Sequence, residues 1–313
     1  MSFIKYPSFE NHYNQKNIRT FRDLHNDVLN EIPFVVQEKI HGTNIQLIFS
    51  PHEKMKIASR NQLTDEGFFN IGEVLSKIAN ELDIFQNYCY AHGATLHLYG
   101  ELFGDGIQKG VEYGREKRLL FFDMRINDKI QTQDFMRNFF IVGGLDHLLI
   151  PVLDIVTGLD TALGFDTNIN TTLFYHDKTN ICEGIVIKPL DRLIYNQYGE
   201  LLYIKKKNES FKEKQRQKNP RVDVEYTPEV NRWNEVFLSY LNDERLQTVI
   251  SKYGPLKTVK DIGKYIGYML IDARETFLRE EEFDQDNFGR KELKAIFNGN
   301  KTASKIVVKY GME

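Results

Sequence analysis

The stretch Glu38-Lys39-Ile40-His41-Gly42-Thr43-Asn44 sets a lysine three residues before a glycine, directly after the apolar run Phe34-Val35-Val36. A second apolar run follows, with Ile45, Leu47, Ile48 and Phe49. The pattern is strand, tight polar turn, strand. A lysine at such a mouth is a candidate nucleophile, but a poor one while protonated. At a reference pKa near 10.4, about one such amine in 2,500 is neutral at pH 7. Lowering that pKa by three units corresponds to about 4 kcal/mol. Neighbouring cations, a metal ion or loss of solvent are the means available.

Working outward, strands are expected at 34–39, 44–50 and 55–59, with a turn at Pro51-His52. Residues 66–86 show helical spacing at Phe69, Val74, Ile78 and Leu82. A strand at 95–101 ends in Gly100-Glu101, and a glycine-rich loop follows over 104–110. The run 118–126 reads as a buried strand, and 131–142 as a short helix. Residues 1–33 read as an aromatic cap, dense around Tyr6 to Tyr13. The segment 143–180 has weak signals, and its Asn/Thr/Asp clusters around 166–172 read as a surface excursion. Glu183-Gly184-Ile185-Val186-Ile187-Lys188 returns to strand alternation, and a last strand spans Leu201 to Lys206. Beyond Arg221 the period becomes helical. Thr227-Pro228 is an N-cap and first-turn pair, Trp233, Phe237 and Leu241 continue it, and Thr258 with Asp261 opens the next helix. Two domains are therefore expected, 1–225 and 226–313.

Composition narrows the class. The 313 residues hold two cysteines, Cys89 and Cys182, with no Cys/His cluster, so a zinc site and a disulfide framework are both unsupported. The first residues have no signal-peptide core, and no run reaches the length of a membrane span. The expectation is a soluble cytoplasmic protein without a membrane partner. No coiled-coil heptads appear, so a monomer is expected. Net charge is -3, which gives no general attraction to nucleic acid. From Lys205 to Arg221, however, six lysines and two arginines face only Glu209 and Glu213, a local excess of +6. Such a block can follow a phosphate backbone, although a solvated charged face has the same composition.

Other residues join Lys39 as candidates. Lys205 and Lys207, two apart on one strand, share a face and could act on the amine and on a phosphate. Glu101 and Glu183 stand at strand ends, where a carboxylate can hold a ribose hydroxyl or a divalent ion. Phe122 could stack on a base, and Gly42 lets backbone approach a ligand. Singly, each has a plain alternative as a surface charge, a core aromatic or an edge-strand guard. Their joint order is what carries information.

That order resembles the motif series of the covalent nucleotidyltransferases, which include DNA ligases, RNA ligases and mRNA capping enzymes. Lys39-Ile-His-Gly-Thr-Asn resembles motif I, Ser59-Arg60 the short motif after it, and Tyr99-Gly-Glu-Leu-Phe-Gly motif III. Phe121-Phe122-Asp123 is similar to motif IIIa, Glu183-Gly-Ile-Val-Ile-Lys188 to motif IV, and Ile204-Lys-Lys-Lys-Asn208 to motif V. His41 with Thr43-Asn44, the early Glu10-Asn11-His12-Tyr13, Gly106-Ile-Gln-Lys109 followed by Tyr113-Gly114, and Lys260-Asp-Ile-Gly-Lys264 resemble the RNA ligase 2 branch, the phage-type double-stranded RNA ligases. Gln37 stands where that branch has a basic residue, and Asn61 where it has Thr.

The resemblance implies an α+β nucleotidyltransferase domain of antiparallel-rich sheets flanked by helices, followed by a small all-α C-terminal domain. It implies an ATP-dependent RNA ligase that forms lysyl-AMP, passes AMP to an RNA 5′-phosphate, and joins that end to a 3′-OH. Lys39 is the implied nucleophile and His41 its aid. Glu38 would set its backbone at the adenine edge, Phe122 would stack on adenine, and Lys188 would lie near base or phosphate. Glu101 would hold the ribose, and Lys205 and Lys207 the α-phosphate. Asn44, Arg60, Lys212, Lys214 and Arg216 would meet RNA. Glu183 would organise Mg²⁺ or Mn²⁺, with ATP as the AMP donor. A DNA ligase or capping enzyme, and an RNA-binding protein that keeps only the fold, remain as alternatives. The first two would be expected to carry short strands, not helices, after motif V.

Overall fold

The computed structural model describes residues 3–7, 9–174, 179–211, 227–256, 258 and 261–311. The chain forms two compact units, 1–210 and 211–313. In the first, the elements run β1 (Glu10–Asn11), α1 (Gln15–Glu31), β2 (Pro33–Lys39), β3 (Thr43–Phe49), β4 (Lys56–Ser59), β5 (Leu63–Thr64), α2 (Ile71–Lys77) and α3 (Ala79–His92). They continue as β6 (Leu96–Phe103), β7 (Arg118–Ile126), β8 (Lys129–Ile130), α4 (Gln133–Val142), β9 (Val152–Thr157), α5 (Leu159–Gly164), β10 (Gly184–Pro189) and β11 (Ile204–Lys207).

Two sheets result. One has the order β1-β11-β10-β2-β9 and the other β5-β4-β3-β6-β7-β8. All pairs are antiparallel except β1 with β11, where Asn11 pairs with Lys205. The strand-turn-strand reading of 34–50 holds, but β2 and β3 are not neighbours. They lie in different sheets, and Ile40-His41-Gly42 is the crossover between them. Gly42 is required there by packing: a Cβ at this position would lie 2.3 Å from the Leu102 carbonyl oxygen. Its permissiveness thus serves contact with β6, whereas the sequence suggested approach to a ligand.

Each sheet has its own apolar core. Phe49, Leu98 and Phe121 pack with Phe85 of α3 and Phe140 of α4. Phe34, Val36, Ile185 and Ile204 pack with Ile18 and Phe21 of α1 and Leu159 of α5. α1 lies within what reads as a mixed cap. It begins at Asn14, whose side chain accepts from Asn17 N–H, and it is interrupted at His25 with φ −136°. That interruption breaks the apolar period. The helix expected over 66–86 is instead two, separated at Ile78 with φ −114° and continued to His92. The stretch 143–180 contains β9 and α5 and is not merely a surface excursion. The last strand starts at Ile204, three residues later than expected.

A polar network joins the two sheets. Asp123 of β7 is fully buried and accepts from Lys188 Nζ of β10 at 2.9 Å and from Gln133 Nε2 of α4 at 2.5 Å. Tyr6 donates to the same carboxylate. Lys188 also donates to the Phe122 carbonyl at 2.9 Å, and Gln133 accepts from Gln37 at 3.0 Å. Burial pulls the Lys188 ammonium down, and Asp123 opposes that shift. Gln37 therefore has a buried structural partner at a position where a basic residue resembled the family better.

The described residues of the second unit hold helices and no strand: α6 (Pro228–Leu238), α7 (Asp243–Tyr253), α8 (Ile262–Glu280), α9 (Arg290–Ile296) and α10 (Asn300–Gly311). Thr227 caps α6 by accepting from Val230 N–H, with Pro228 in the first turn. Phe237, Met269 and Phe277 are fully buried in it. Arg245, also buried, donates to Asp272 at 2.5 Å and to Thr276 at 2.9 Å. No helix among the described residues is long and apolar enough to cross a membrane.

Asp123→Ala leaves the Lys188 ammonium buried without its counter-charge, and such losses cost about 3–5 kcal/mol. The paired change Asp123→Leu with Lys188→Met should cost markedly less. Denaturant unfolding of wild type and both variants measures this, and equal losses would contradict it.

Candidate active site

The crossover after β2 delivers Lys39 to Glu183, the residue before β10. Register sets this meeting, because Lys39 pairs with Gly184 and Gly184 pairs in turn with Lys207. Gly184 has φ +152°, and a Cβ there would lie 2.1 Å from the Lys206 carbonyl oxygen, so only glycine lets β10 and β11 close beside the site.

Glu183 gathers three basic side chains. Its Oε2 accepts from Lys39 Nζ at 2.6 Å and from His41 Nδ1 at 3.1 Å, and Lys207 Nζ lies 3.2 Å from Oε1. Burial alone would raise the Glu183 carboxyl, but Lys39, Lys207 and His41 together hold it well below the usual carboxylate range. The other His41 ring nitrogen, Nε2, lies 3.0 Å from the Lys109 carbonyl. Both of its partners accept, so the geometry suits a ring that donates from both nitrogens. The glycine-rich loop thereby closes over the crossover. Tyr113, beyond that loop, accepts from the His41 backbone N–H at 2.9 Å. Its phenol is pushed up by burial, and the charges of Glu38 and Glu183 add to the shift.

Glu101 of β6 pairs in register with Asn44 of β3. Burial pushes its carboxyl up to about 7, with Lys39 opposing, Glu183 adding, and Arg60 opposing. These groups share one electrostatic site. The Asn44 Oδ1 is buried without a hydrogen-bond partner.

Phe122 and Asp123 are consecutive on β7, yet both face the space between the sheets. Pairing passes from Tyr99–Asp123 to Gly100–Phe121, which leaves Phe122 as the extra residue of a bulge. A bulge re-aims one side chain. Here it turns Phe122 against Tyr6, with ring centroids 5.1 Å apart, and under Lys188 Nζ at 5.2 Å. The Lys188 ammonium is thus committed to Asp123 and the Phe122 carbonyl.

The structure brings together Lys39, His41, Glu183 and Lys207, with Glu101 and Arg60 in electrostatic reach. Lys205 shares the Lys207 face of β11, whereas Lys206 turns away and donates to the Leu163 and Phe165 carbonyls. Lys212, Lys214 and Arg216 lie outside the described residues. Several residues escaped the sequence reading. Asp123 was visible as one acid in an apolar run but was given no role. Gln133 and the Thr171-Thr172 pair carry no local signal, and Tyr113, part of the resembling Tyr113-Gly114, was given no role. Thr171 donates to the Glu38 carboxylate, and Thr172 donates to it from N at 2.9 Å and from Oγ1 at 2.7 Å.

The family model named RNA ligase matches residues 32–212, more than half of the chain. The chain belongs to the RNA ligase family. The model named T4 RNA ligase 2 C-terminal matches residues 224–304, consistent with the RNA ligase 2 branch of that family. Among solved structures, the chain is similar to an apo variant of Naegleria gruberi RNA ligase, with TM-score 0.50, 19% identity, and coverage of 67% of this chain and 57% of that one. It is also similar to a variant of the same ligase with ATP and Mn, with TM-score 0.50, 18% identity, and coverage of 67% and 58%. The chain therefore spans less than two thirds of those ligases, and the likeness is one of fold. The family's mixed α+β architecture is what the first unit displays.

The Glu101 shift has a sign that unfolding can read. Its folded pKa, about 7, exceeds the unfolded value near 4.3, so the folded state holds the proton more tightly. Stability relative to Glu101→Gln should fall as pH rises between those values, by up to about 4 kcal/mol, and level off above the folded pKa. Denaturant midpoints of both proteins from pH 5 to 8 test this, and parallel profiles would contradict it.

Proposed function

We propose that this chain is an ATP-dependent RNA ligase that seals 3′-OH/5′-phosphate breaks, preferentially nicks in duplex RNA, through a lysyl-AMP intermediate. The observation that supports it most is the convergence of Lys39, His41 and Lys207 on Glu183 at the crossover. A binding protein has no use for a buried carboxylate that gathers two amines and an imidazole at one crossover. The helical second unit is unlike the stranded domain expected of a DNA ligase or capping enzyme.

In the proposed sequence, Lys39 Nζ forms a bond to the α-phosphorus of ATP as the bond to the β-phosphate oxygen breaks and pyrophosphate leaves. A 5′-phosphate oxygen of RNA then attacks that phosphorus, the P–N bond breaks, and the amine is restored. The 3′-OH of the adjoining strand finally attacks the activated 5′-phosphate, and AMP departs. These are transfers in which alignment and charge neutralisation do most of the protein's part. In the free protein Lys39 is paired with Glu183, so the entering nucleotide must separate them. Lys205 and Lys207 are assigned to the α-phosphate, Glu101 to the ribose, Phe122 to the base, His41 to the departing pyrophosphate, and Asn44 with Arg60 to the RNA 5′-phosphate. In this scheme Lys188 acts by fixing the Phe122 carbonyl.

No group of three or more His, Cys, Asp or Glu among the described residues makes a preformed metal cage. In this scheme Glu183 would organise a Mg²⁺ or Mn²⁺ ion that accompanies the triphosphate. Such an ion would neutralise phosphate charge. Action as a monomer in the cytoplasm is part of the proposal, and the free, buried Cys89 and Cys182 suit a reducing compartment.

Nick sealing with ATP on duplex RNA and duplex DNA tests the assignment, with RNA expected to be preferred. Lys39→Ala should lose sealing of 5′-phosphate RNA by more than a thousandfold yet still join RNA supplied as the 5′-adenylate. Asn44→Ala should slow RNA adenylation more than lysyl-AMP formation. A preference for a DNA 3′-OH strand, or sealing that survives Lys39→Ala, would overturn the reading.

A further inference from the structure

Lys39 closes β2, Glu183 comes just before β10, and Lys207 closes β11, so the three groups stand at the ends of their strands. In register, Lys39, Gly184 and Lys207 form one row across these strands, and Glu38, Ile185 and Lys206 form the next. Successive rows face opposite sides of the sheet. The second row therefore lies behind the site, on the apolar face of Val36, Ile187 and Ile204. Two of its three members are nonetheless charged.

One short segment, 163–173, meets both charges. Lys206 Nζ donates to the Leu163 carbonyl at 2.9 Å and to the Phe165 carbonyl at 2.7 Å, at the C-terminal end of α5. An ammonium suits that end of a helix. Asn208 donates from Nδ2 to the Thr167 carbonyl at 3.3 Å, while its backbone N–H donates to the Glu183 carbonyl at 2.8 Å. The Glu38 carboxylate, in a residue 1% exposed, accepts from the Thr171 hydroxyl. It also accepts from Thr172 N–H at 2.9 Å and from the Thr172 hydroxyl at 2.7 Å. Between these contacts the segment holds the approach to Glu183. Cys182 N–H donates to the Ile169 carbonyl at 3.0 Å, and Thr171 N–H donates to the Asn180 carbonyl at 2.8 Å. The residues immediately before Lys39, Glu183 and Lys207 are thus all tied to the same segment. The segment has its own footing: Leu159 and Ala162 of α5 belong to the apolar core of this sheet, and Phe165 and Ile169 pack against it.

Apolar side chains at 38 and 206 would fill that face as Ile185 does. A buried polar group instead demands its partners at fixed places, because leaving it unmatched is costly. A segment tied to one strand would serve stability alone. One tied to all three, each time beside the reacting group, sets the distances between those groups. Resting on the ligase reading above, we propose that the segment Leu163–Leu173 is a brace for lysyl-AMP formation, and that Lys206, Thr171 and Thr172 are positioning residues: from behind the sheet they fix the strand ends that carry Lys39, Glu183 and Lys207. The entering nucleotide separates Lys39 from Glu183, and the brace keeps the strand ends from following. In reactions that depend on alignment, a misplacement of about 1 Å costs on the order of a hundredfold in rate.

The test follows covalent labelling of the full chain by ATP labelled at the α-phosphate, with the folded fraction of each variant measured by circular dichroism at the assay temperature. Lys206→Met, which keeps the reach of the side chain but offers no donor, should lower kcat per folded chain at least tenfold, with the KM for ATP changed less than threefold. Lys206→Arg, whose guanidinium can donate to both carbonyls, should stay within threefold of wild type. Thr172→Val, which keeps the Thr172 N–H bond, should lower kcat at least threefold and serves if Lys206→Met does not fold. A kcat per folded chain within twofold of wild type in the methionine or valine variant would overturn the proposal, since a merely structural role lowers the folded fraction and not the rate of folded molecules. A loss in Lys206→Arg as large as in Lys206→Met would overturn it too. If wild type itself takes no label, the ligase reading fails and the brace falls with it.

Discussion

Glu183 is the charge on which the site turns. It is one buried carboxylate against Lys39, Lys207 and His41. Two lysines and an imidazole placed this close would repel one another without it. Its ionisation is in turn secured by them, against a burial penalty that acts alone to raise its pKa. The arrangement needs three separate segments to converge: the crossover after β2, the start of β10, and β11. Glycine at 184 lets β10 and β11 meet closely, and glycine at 42 lets the crossover lie on β6. Site and fold are therefore one constraint, because the loop that carries the amine is also the loop that joins the two sheets.

The second polar network holds those sheets in place. Asp123 and Lys188 bind β7 to β10 directly, and Gln133, Gln37 and Tyr6 bring in α4, β2 and the N-terminal segment. A buried pair of this kind is weak as a source of net stability but severe in its penalty when half of it is removed. Its geometric consequence matters more here. Lys188 and Gln133 both donate to the Phe122 carbonyl, at 2.9 and 3.1 Å, so the bulged residue is fixed by its backbone while its ring faces between the sheets.

Much of this was legible in the residues. The apolar runs around Lys39 gave β2 and β3, and the ordered motifs gave the strands that hold Glu101 and Lys207 and the one that Glu183 precedes. What period alone could not give was partnership. Alternation at 34–50 is the same whether two strands pair or cross between sheets, so the crossover at Ile40–Gly42 was hidden. Strict alternation also forbids Phe122 and Asp123 a common face, and only a bulge reconciles them. α1 was missed because His25 interrupts its period, and the 66–86 helix ran through a break at Ile78 whose apolar spacing continues. Thr171 and Thr172 looked like polar surface because their partner, Glu38, lies more than 130 positions away.

Everything proposed for this chain converges on the Lys39 amine, and the mass of the protein after incubation with ATP and Mg²⁺ addresses it most directly. The account predicts a gain of one AMP per chain, located on Lys39 by peptide mapping and removed by added pyrophosphate. No adduct, or an adduct on any other lysine, would contradict it.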